Sequence, residues 1–537
     1  TRCSRDWSSD VCSSDLSMES KIKIAIGDVR HRTAGRHAVP MPIGIGYIAS
    51  YCLEALGEER LALRVYTDPE ELLDDIDAWR PDIVALSFYS WNRELSQRIF
   101  RYAKAGRPKT LCVGGGPEFP PPTGACRDYL RENPEIDLFA YREGELVFAD
   151  IVREYLETGD PGQTRKAGLP GVAAYDRATG RLVLGEVPER IPDLDVIPSP
   201  YLSGLMDRFF DGLHTPAIRI HRGCPYTCGY CYAGQEWYSK ITSFSADRIV
   251  AEINYIAERM KPYVNVPFCI HDTNFGMYEK DEIIAEHLAT LQESLDWPRS
   301  YDVTTGKANL DRIKRIVEKL DNRMQMSTSL QTTNPETLRI IKRKNISETY
   351  YKEIQKETDK KSYHATTELI IPLPAESKES YYKSLRFLIE SESKACFTYT
   401  TMLLKQTPLA SPEARAAYDF TTKYRLLPRQ FGEYRGERVF ETEEICVATK
   451  TMSFADYLEC RGFGFVVASF LHKQFDFLTR HCAEIGLSVY DLLRRLWEII
   501  HQDHGAVGDI YRNFIQETSD ELFNAEKNIG RFYNDSD

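Results

Sequence analysis

The sequence predicts an α/β protein in three parts: a doubly wound parallel sheet, a larger array of strand-helix units, and a mainly helical C-terminal region. Three observations carry this. From Lys21 onward short apolar strands alternate with helical stretches, the order that a parallel sheet with crossover helices requires. Six further strand-like runs of the same kind begin at Ala217. Near the C-terminus Val489, Leu492, Leu493, Leu496, Trp497 and Ile500 fall on one helical stripe behind Ser488, a capping residue.

A chain of 537 residues, 42% of them hydrophobic, has material for about two to four domains with sizeable cores. Its net charge of −12 and the lack of any Lys/Arg block argue against a nucleic-acid partner and for a small-molecule substrate. No run of about 18 uncharged apolar residues predicts a membrane span, and no basic-then-apolar leader predicts secretion. Thirteen cysteines without a disulfide framework fit a reducing compartment, so the cytoplasm is the expected location.

Residues 1–18 are Ser/Asp-rich without an apolar period and read as a disordered or non-native leader, which removes Cys3 and Cys12 from consideration. The first domain is placed at 19–165. Its strands are Ile22 to Ile26, Ile83 to Ser87, Thr110 to Val113 and Ile136 to Ala140, with helices from Pro42 and from Glu94. Ligands of such sheets bind at the carboxyl ends of the strands, where Ser87, Ser90 and the triplet Gly114, Gly115 and Gly116 fall. A tight turn accounts for the glycines equally well. Residues 166–205 read as a connector with a hairpin, Gly171 to Tyr175 and Arg181 to Leu184, then a proline-rich extended passage.

The array at 206–410 holds the stretch around which the chain is organised, His221-Arg222-Gly223-Cys224-Pro225-Tyr226-Thr227-Cys228-Gly229-Tyr230-Cys231. Three thiolates on one loop can hold three irons of a cubane cluster, and the fourth iron then lacks a local cysteine and is open to a chelating substrate. A zinc site completed by His221 is the bland alternative, although structural zinc sites usually draw on two separated ligand pairs. A cluster-bearing sensor without catalysis is a third reading.

The C-x-x-x-C-x-x-C spacing, with an aromatic residue before its third cysteine, resembles the radical S-adenosylmethionine (SAM) superfamily. The pieces at 22–152, including Ser87-Phe88-Tyr89-Ser90-Trp91-Asn92, Gly114 to Glu118 and Arg142 to Glu145, resemble the Rossmann-like cobalamin-binding domain of that superfamily's cobalamin-dependent branch. The resemblance implies a partial (β/α)6 barrel at 206–410, a helical domain at 411–537, and three cofactors: a [4Fe–4S] cluster, SAM and cobalamin. It implies cluster ligation by Cys224, Cys228 and Cys231. It also implies SAM contacts at Tyr230, Asp272, Ser327, Ser329 and Gln331, and a cobalamin slot lined by Ser87, Ser90 and Gly114 to Gly116. Relatives that ligate cobalt with histidine use D-x-H-x-x-G, whereas Asp28 to Gly35 carries an extra residue on each side of His31. Cobalamin is therefore expected without a histidine below the metal, and His31 as a polar contact. On the fifth barrel strand Pro372 replaces a glycine usual for the family.

The activity implied is C-methylation of an unactivated carbon in a small metabolite or natural-product intermediate, with a flavodoxin or ferredoxin supplying electrons. Cyclisation or oxidation without methyl transfer uses the same cofactor sites and is the alternative. The segment Tyr424 to Tyr434 reads either as a lid over the barrel or as solvated surface.

Overall fold

The computed structural model of the chain describes residues 21–34, 39–121, 124–361, 365–393, 396–471 and 473–535, so the leader 1–18 lies outside the described residues. Strands β1 (Ile22–Gly27), β2 (Leu61–Tyr66), β3 (Ile83–Ser87), β4 (Leu111–Gly115) and β5 (Leu138–Ala140) pair in parallel in the order β2-β1-β3-β4-β5. Both faces are covered. Ile24 and Ile26 pack with the helices Ile43–Leu56 and Gly144–Thr158, while Ala25, Val84 and Leu86 join the core under Arg93–Gly106. Burial on both sides explains why these strands read as unbroken apolar runs. Strand β2 adds to the strands expected from sequence; exposed Arg64 interrupts its apolar run. The direction of strand order reverses between β1 and β3, which opens a crevice at their carboxyl ends.

The hairpin expected over 171–184 forms as β6 (Val172–Asp176) and β7 (Arg181–Leu184). It pairs antiparallel onto β5, so the sheet has seven strands and runs past the boundary drawn at residue 165. The second unit contains β8 (Ala217–Ile218), a short antiparallel pair β9 (His221–Arg222) and β10 (Thr242–Ser243), then β11 (Phe268–Phe275), β12 (Tyr301–Thr305), β13 (Met326–Ser327), β14 (Ala365–Ile371) and β15 (Cys396–Thr400). Its six barrel strands fall where the sequence places them, in two parallel runs, β8-β11-β12 and β13-β14-β15. Ser245 caps the helix Ala246–Met260, as expected, with its hydroxyl accepting from Arg248 N at 3.3 Å.

The C-terminal region is helical from Phe454 onward, but it opens with an antiparallel ribbon, β16 (Thr421–Tyr434) and β17 (Glu437–Ala448), that the sequence did not disclose. This ribbon takes up the segment 424–434 and clasps the first domain. His31 lies inside the clasp, Nε2 3.2 Å from Glu441 Oε1 and Nδ1 3.0 Å from the Tyr434 hydroxyl. Glu441 also accepts the N–H groups of Glu94 (3.0 Å) and Leu95 (2.9 Å), so a carboxylate from the ribbon caps the helix Arg93–Gly106. Both ring nitrogens of His31 are thus engaged within the protein, as a polar contact between the first domain and the ribbon.

Candidate active site

The cysteine loop leaves β9 and is shaped by two glycines. Gly223 has φ +105°, and a Cβ there would lie 2.6 Å from the carbonyls of Tyr238 and Lys240. A Cβ on Gly234 would strike the Cys228 carbonyl, so the chain folds tightly back over the loop. Backbone bonds hold the turn: Cys224 N donates to Tyr238 O (2.9 Å), Gly229 N to Ile341 O (2.9 Å) and Cys231 N to Cys228 O (3.1 Å). Cys224, Cys228 and Cys231 are unpaired thiols lining one cavity of about 560 Å3 at the mouth of the barrel. Asn274 Nδ2 lies 3.3 Å from Cys224 Sγ. Burial, followed by the two neighbouring cysteines, pushes the Cys231 thiol up.

His221 does not join them. Its Nδ1 is 2.6 Å from Ser243 Oγ and its Nε2 2.8 Å from Asp281 Oδ1, so neither nitrogen is free to complete a Cys3His site. Asp281 is itself committed through Oδ2 to the N–H groups of Gly276 (2.8 Å) and Tyr278 (3.0 Å).

The residues expected to contact SAM divide. Asp272 Oδ1 accepts from Ile220 N (2.9 Å) and His221 N (3.0 Å), anchoring the start of the cysteine loop, while Oδ2 is buried without a partner. Burial raises this carboxyl to about 6. Tyr230 OH accepts from Arg343 Nη1 at 2.6 Å, and the same guanidinium bonds the Ser329 carbonyl, so Arg343 ties the loop to the fourth strand of the barrel. Ser329 Oγ donates to Glu368 Oε2 (2.9 Å) and is not free. Gln331 sits at φ +66° and bridges to β14 through its backbone, with Oε1 buried and unpartnered. Ser327 lies on β13, and its side chain is outside the described residues. Lys307, 5.2 Å over the Tyr226 ring, is brought down to about 8 by burial, then by Arg343.

At the crevice of the first domain, Ser87 Oγ donates to Asp28 Oδ1 (2.6 Å) and accepts from Asn92 Nδ2 (2.9 Å), so it buttresses the loop after β1. Ser90 is half-buried in the following turn. A Cβ on Gly114 would press on Phe139 at 2.7 Å, and one on Gly116, at φ +131°, would lie 2.5 Å from Phe88 O. These two glycines serve the fold itself. Gly115 alone of the triplet looks onto space, its Cβ direction meeting nothing nearer than Ala140 O at 3.5 Å. Around the crevice Tyr89 stacks on Trp91 at 4.2 Å and Arg30 lies 4.8 Å over Trp91.

Both sites meet at the domain junction. His271 and Arg219, on the cavity wall, lie close enough to Arg30 and Asp28 for these charges to act on the imidazole. Arg142 Nη1 bonds Gln235 Oε1 (3.2 Å) and sits 5.2 Å over Trp237, Glu143 accepts Ile191 N (2.9 Å), and Glu145 pairs with Arg222 at 2.5 Å. The turn Arg142 to Glu145 therefore locks the cysteine loop to the first domain. The junction retains buried polar atoms without protein partners: Arg30 Nε, Trp91 Nε1, Arg219 Nε and Gln235 Nε2. Three convergent thiols, an open glycine in the crevice and unpartnered polar atoms between them fit a cluster, SAM and cobalamin.

Residues 33–152 match the B12 binding domain family and residues 218–388 the Radical SAM superfamily. The chain belongs to the cobalamin-binding radical SAM enzymes. Their cofactors are cobalamin, a [4Fe–4S] cluster and SAM. The chain is 32% identical over 458 residues to the 2-(S-pantetheinyl)-carbapenam-3-carboxylate methyltransferase of Streptantibioticus cattleyicolor, an alignment covering 82% of this chain and 64% of that protein. It is 30% identical over 454 residues to the cobalamin-dependent radical SAM methyltransferase TokK of Streptomyces tokunonensis, covering 81% and 63%. The chain thus spans a little under two thirds of these curated relatives. Among solved structures, cobalamin-dependent OxsB superposes with TM-score 0.60 at 12% identity, covering 93% of this chain and 76% of that one. Methyltransferase TsrM from Kitasatospora setae gives 0.57 at 12%, covering 82% and 88%. At such identity the likeness concerns the fold alone. Among the described residues no helix is long and apolar enough to cross a membrane.

Proposed function

We propose that this chain is a C-methyltransferase that acts on an unactivated carbon of a small metabolite or natural-product intermediate. One observation carries the reading: Cys224, Cys228 and Cys231 line a single cavity together with Arg219 and His271, and the His271 imidazole feels the charges of Arg30 and Asp28 of the cobalamin domain. The methyltransferase names of both curated relatives support it. Bound there, the cluster with SAM supplies hydrogen abstraction and cobalamin supplies a transferable methyl group.

The chain's own part is to hold and orient. Cys224, Cys228 and Cys231 each take one iron, and the Asn274 amide donates to the Cys224 sulfur. Arg343 fixes the Tyr230 ring beside them. Asp272 Oδ2 and Gln331 Oε1, the acceptors left open in the wall, receive N–H or O–H groups of SAM. Gly115 leaves room for cobalamin to approach the backbone of β4. The pair between Glu145 and Arg222 keeps the two cofactor sites in register. A flavodoxin or ferredoxin serves as electron donor.

The test uses reconstituted protein, a low-potential reductant, methyl-deuterated SAM and a substrate panel headed by 2-(S-pantetheinyl)-carbapenam-3-carboxylate. Methyl transfer yields 5′-deoxyadenosine, S-adenosylhomocysteine and a product heavier by one labelled methyl. Sustained 5′-deoxyadenosine formation with a converted substrate but neither S-adenosylhomocysteine nor label defeats the reading in favour of a cyclase or oxidase.

A further inference from the structure

Arg219 stands out among the cations of the cavity. It follows β8, lines the wall, and its Nε is buried without a hydrogen-bond partner. Among the described residues no carboxylate comes within 4.0 Å of its guanidinium, whereas Arg222, on the same segment, is paired with Glu145. Asp302 also lines the wall and forms no ion pair with Arg219 within 4.0 Å, and the nearer acids are at least partly engaged. Asp28 is bound to Arg30 (2.8 Å) and to Ser87 (2.6 Å), and one oxygen of Asp272 takes two backbone N–H groups. Ile218 and Ile270 are paired in register on the parallel strands β8 and β11, so His271 stands beside Arg219. Burial and then the charges of Arg219 and Arg30 hold that imidazole down to about 4, which leaves it neutral and able to donate one N–H.

A partly desolvated guanidinium without a direct ion-pair partner is costly, and its planar fork matches a carboxylate with two parallel bonds. The amino-acid carboxylate of SAM has other candidates. Lys307 and Arg343 lie at the cluster end, where the three cysteines act on Lys307, while Arg219 lies toward Tyr89 and Arg30 of the cobalamin domain. We infer that Arg219 and His271 form a subsite for a carboxylate of the substrate, so that this chain methylates small carboxylic acids. The word substrate rests on the methyltransferase reading; the anion subsite rests on the geometry.

The test is fragment binding to the holoenzyme, loaded with cluster and cobalamin and saturated with SAM so that the SAM carboxylate site is filled. Benzoate and cyclopentanecarboxylate are compared with their primary amides by ligand-observed NMR. The wild type is expected to favour each acid over its amide at least tenfold, Arg219→Gln to lose that preference, Arg219→Lys to keep part of it, and His271→Gln to weaken it. Equal binding of acid and amide, no binding of either, or a preference that survives Arg219→Gln overturns the inference. Loss of bound cobalamin from Arg219→Gln also overturns it, because the guanidinium then serves the cofactor. Failure of the methyl-label assay, with the acid preference intact, would refute the methyltransferase reading and leave the subsite standing.

Discussion

Removing the Glu145 carboxylate tests whether the cobalamin domain holds the cysteine loop. Arg222 and Glu145 are 2.5 Å apart, with side chains only 10% and 5% exposed. Truncating one partner of a buried pair leaves an uncompensated charge, at a cost of about 3–5 kcal/mol. Here Glu143 Oε1 stands 4.0 Å from Arg222 Nη1 and offers a weaker second partner, so the cost of Glu145→Ala belongs near the low end, about 3 kcal/mol. Arg222→Met leaves Glu145 buried without its cation and costs a similar amount. The double replacement, Glu145→Met with Arg222→Met, removes both charges and fills the space, so it costs about 1 kcal/mol and the cycle shows a coupling of about 5 kcal/mol. Urea unfolding of the full chain, at fixed cobalamin concentration because a bound ligand shifts apparent stability, measures all four corners. Additive single losses, or a loss below about 1 kcal/mol for Glu145→Ala, would refute the clamp. In the same proteins iron content and 5′-deoxyadenosine formation follow the loop directly, and Glu145→Ala is expected to lower both.

Three further outcomes are expected. Alanine at Cys224, Cys228 or Cys231 abolishes incorporation of the four irons on anaerobic reconstitution, because each thiolate holds one iron, whereas Cys112→Ala and Cys269→Ala leave iron content unchanged. Gel filtration after loading with hydroxocobalamin separates Gly115→Leu, which loses cobalamin at unchanged apoprotein stability, from Gly114→Leu, which strikes Phe139 and destabilises the domain; His31→Ala keeps cobalamin but loses about 1–3 kcal/mol because a hydrogen bond to buried Glu441 is broken. The third outcome is a pH dependence hidden by cancellation. His271, held near 4, makes stability fall as pH drops from its ordinary 6.5, whereas Asp272, raised to about 6, makes stability rise as pH drops from 6 toward 3.8. Each effect amounts to about 3 kcal/mol at most, so Asp272→Asn is expected to be more acid-sensitive than wild type between pH 6.5 and 4 and His271→Gln less so. Identical acid profiles for the three proteins would contradict this.

The elements legible in the sequence are those written in local spacing. Strand and helix alternation, the six barrel strands, the capping serines at 245 and 488, and the cysteine loop with its glycine at 223 each depend on residues within a few positions of one another. The chemistry implied by three thiols on one turn is local for the same reason.

What only the tertiary structure decided are the pairings between distant segments. The ribbon at 421–448 escapes periodicity because β16 mixes Arg, Pro and Gln with apolar residues and shifts register between Leu426 and Phe431. That Ser87 is held by Asp28 and Asn92, and that Phe139 and Phe88 stand where a side chain at Gly114 or Gly116 would go, no local pattern discloses. Conversely Arg343 and Arg219 carry no motif and gain meaning from Tyr230 and an unfilled wall, while the contact of Asn274 with Cys224 is seen only in three dimensions. Periodicity reports which side of an element is buried, whereas the partner of a buried charge or hydroxyl is set by chain segments that arrive from many residues away, as Glu145 meets Arg222 and Arg343 meets Tyr230.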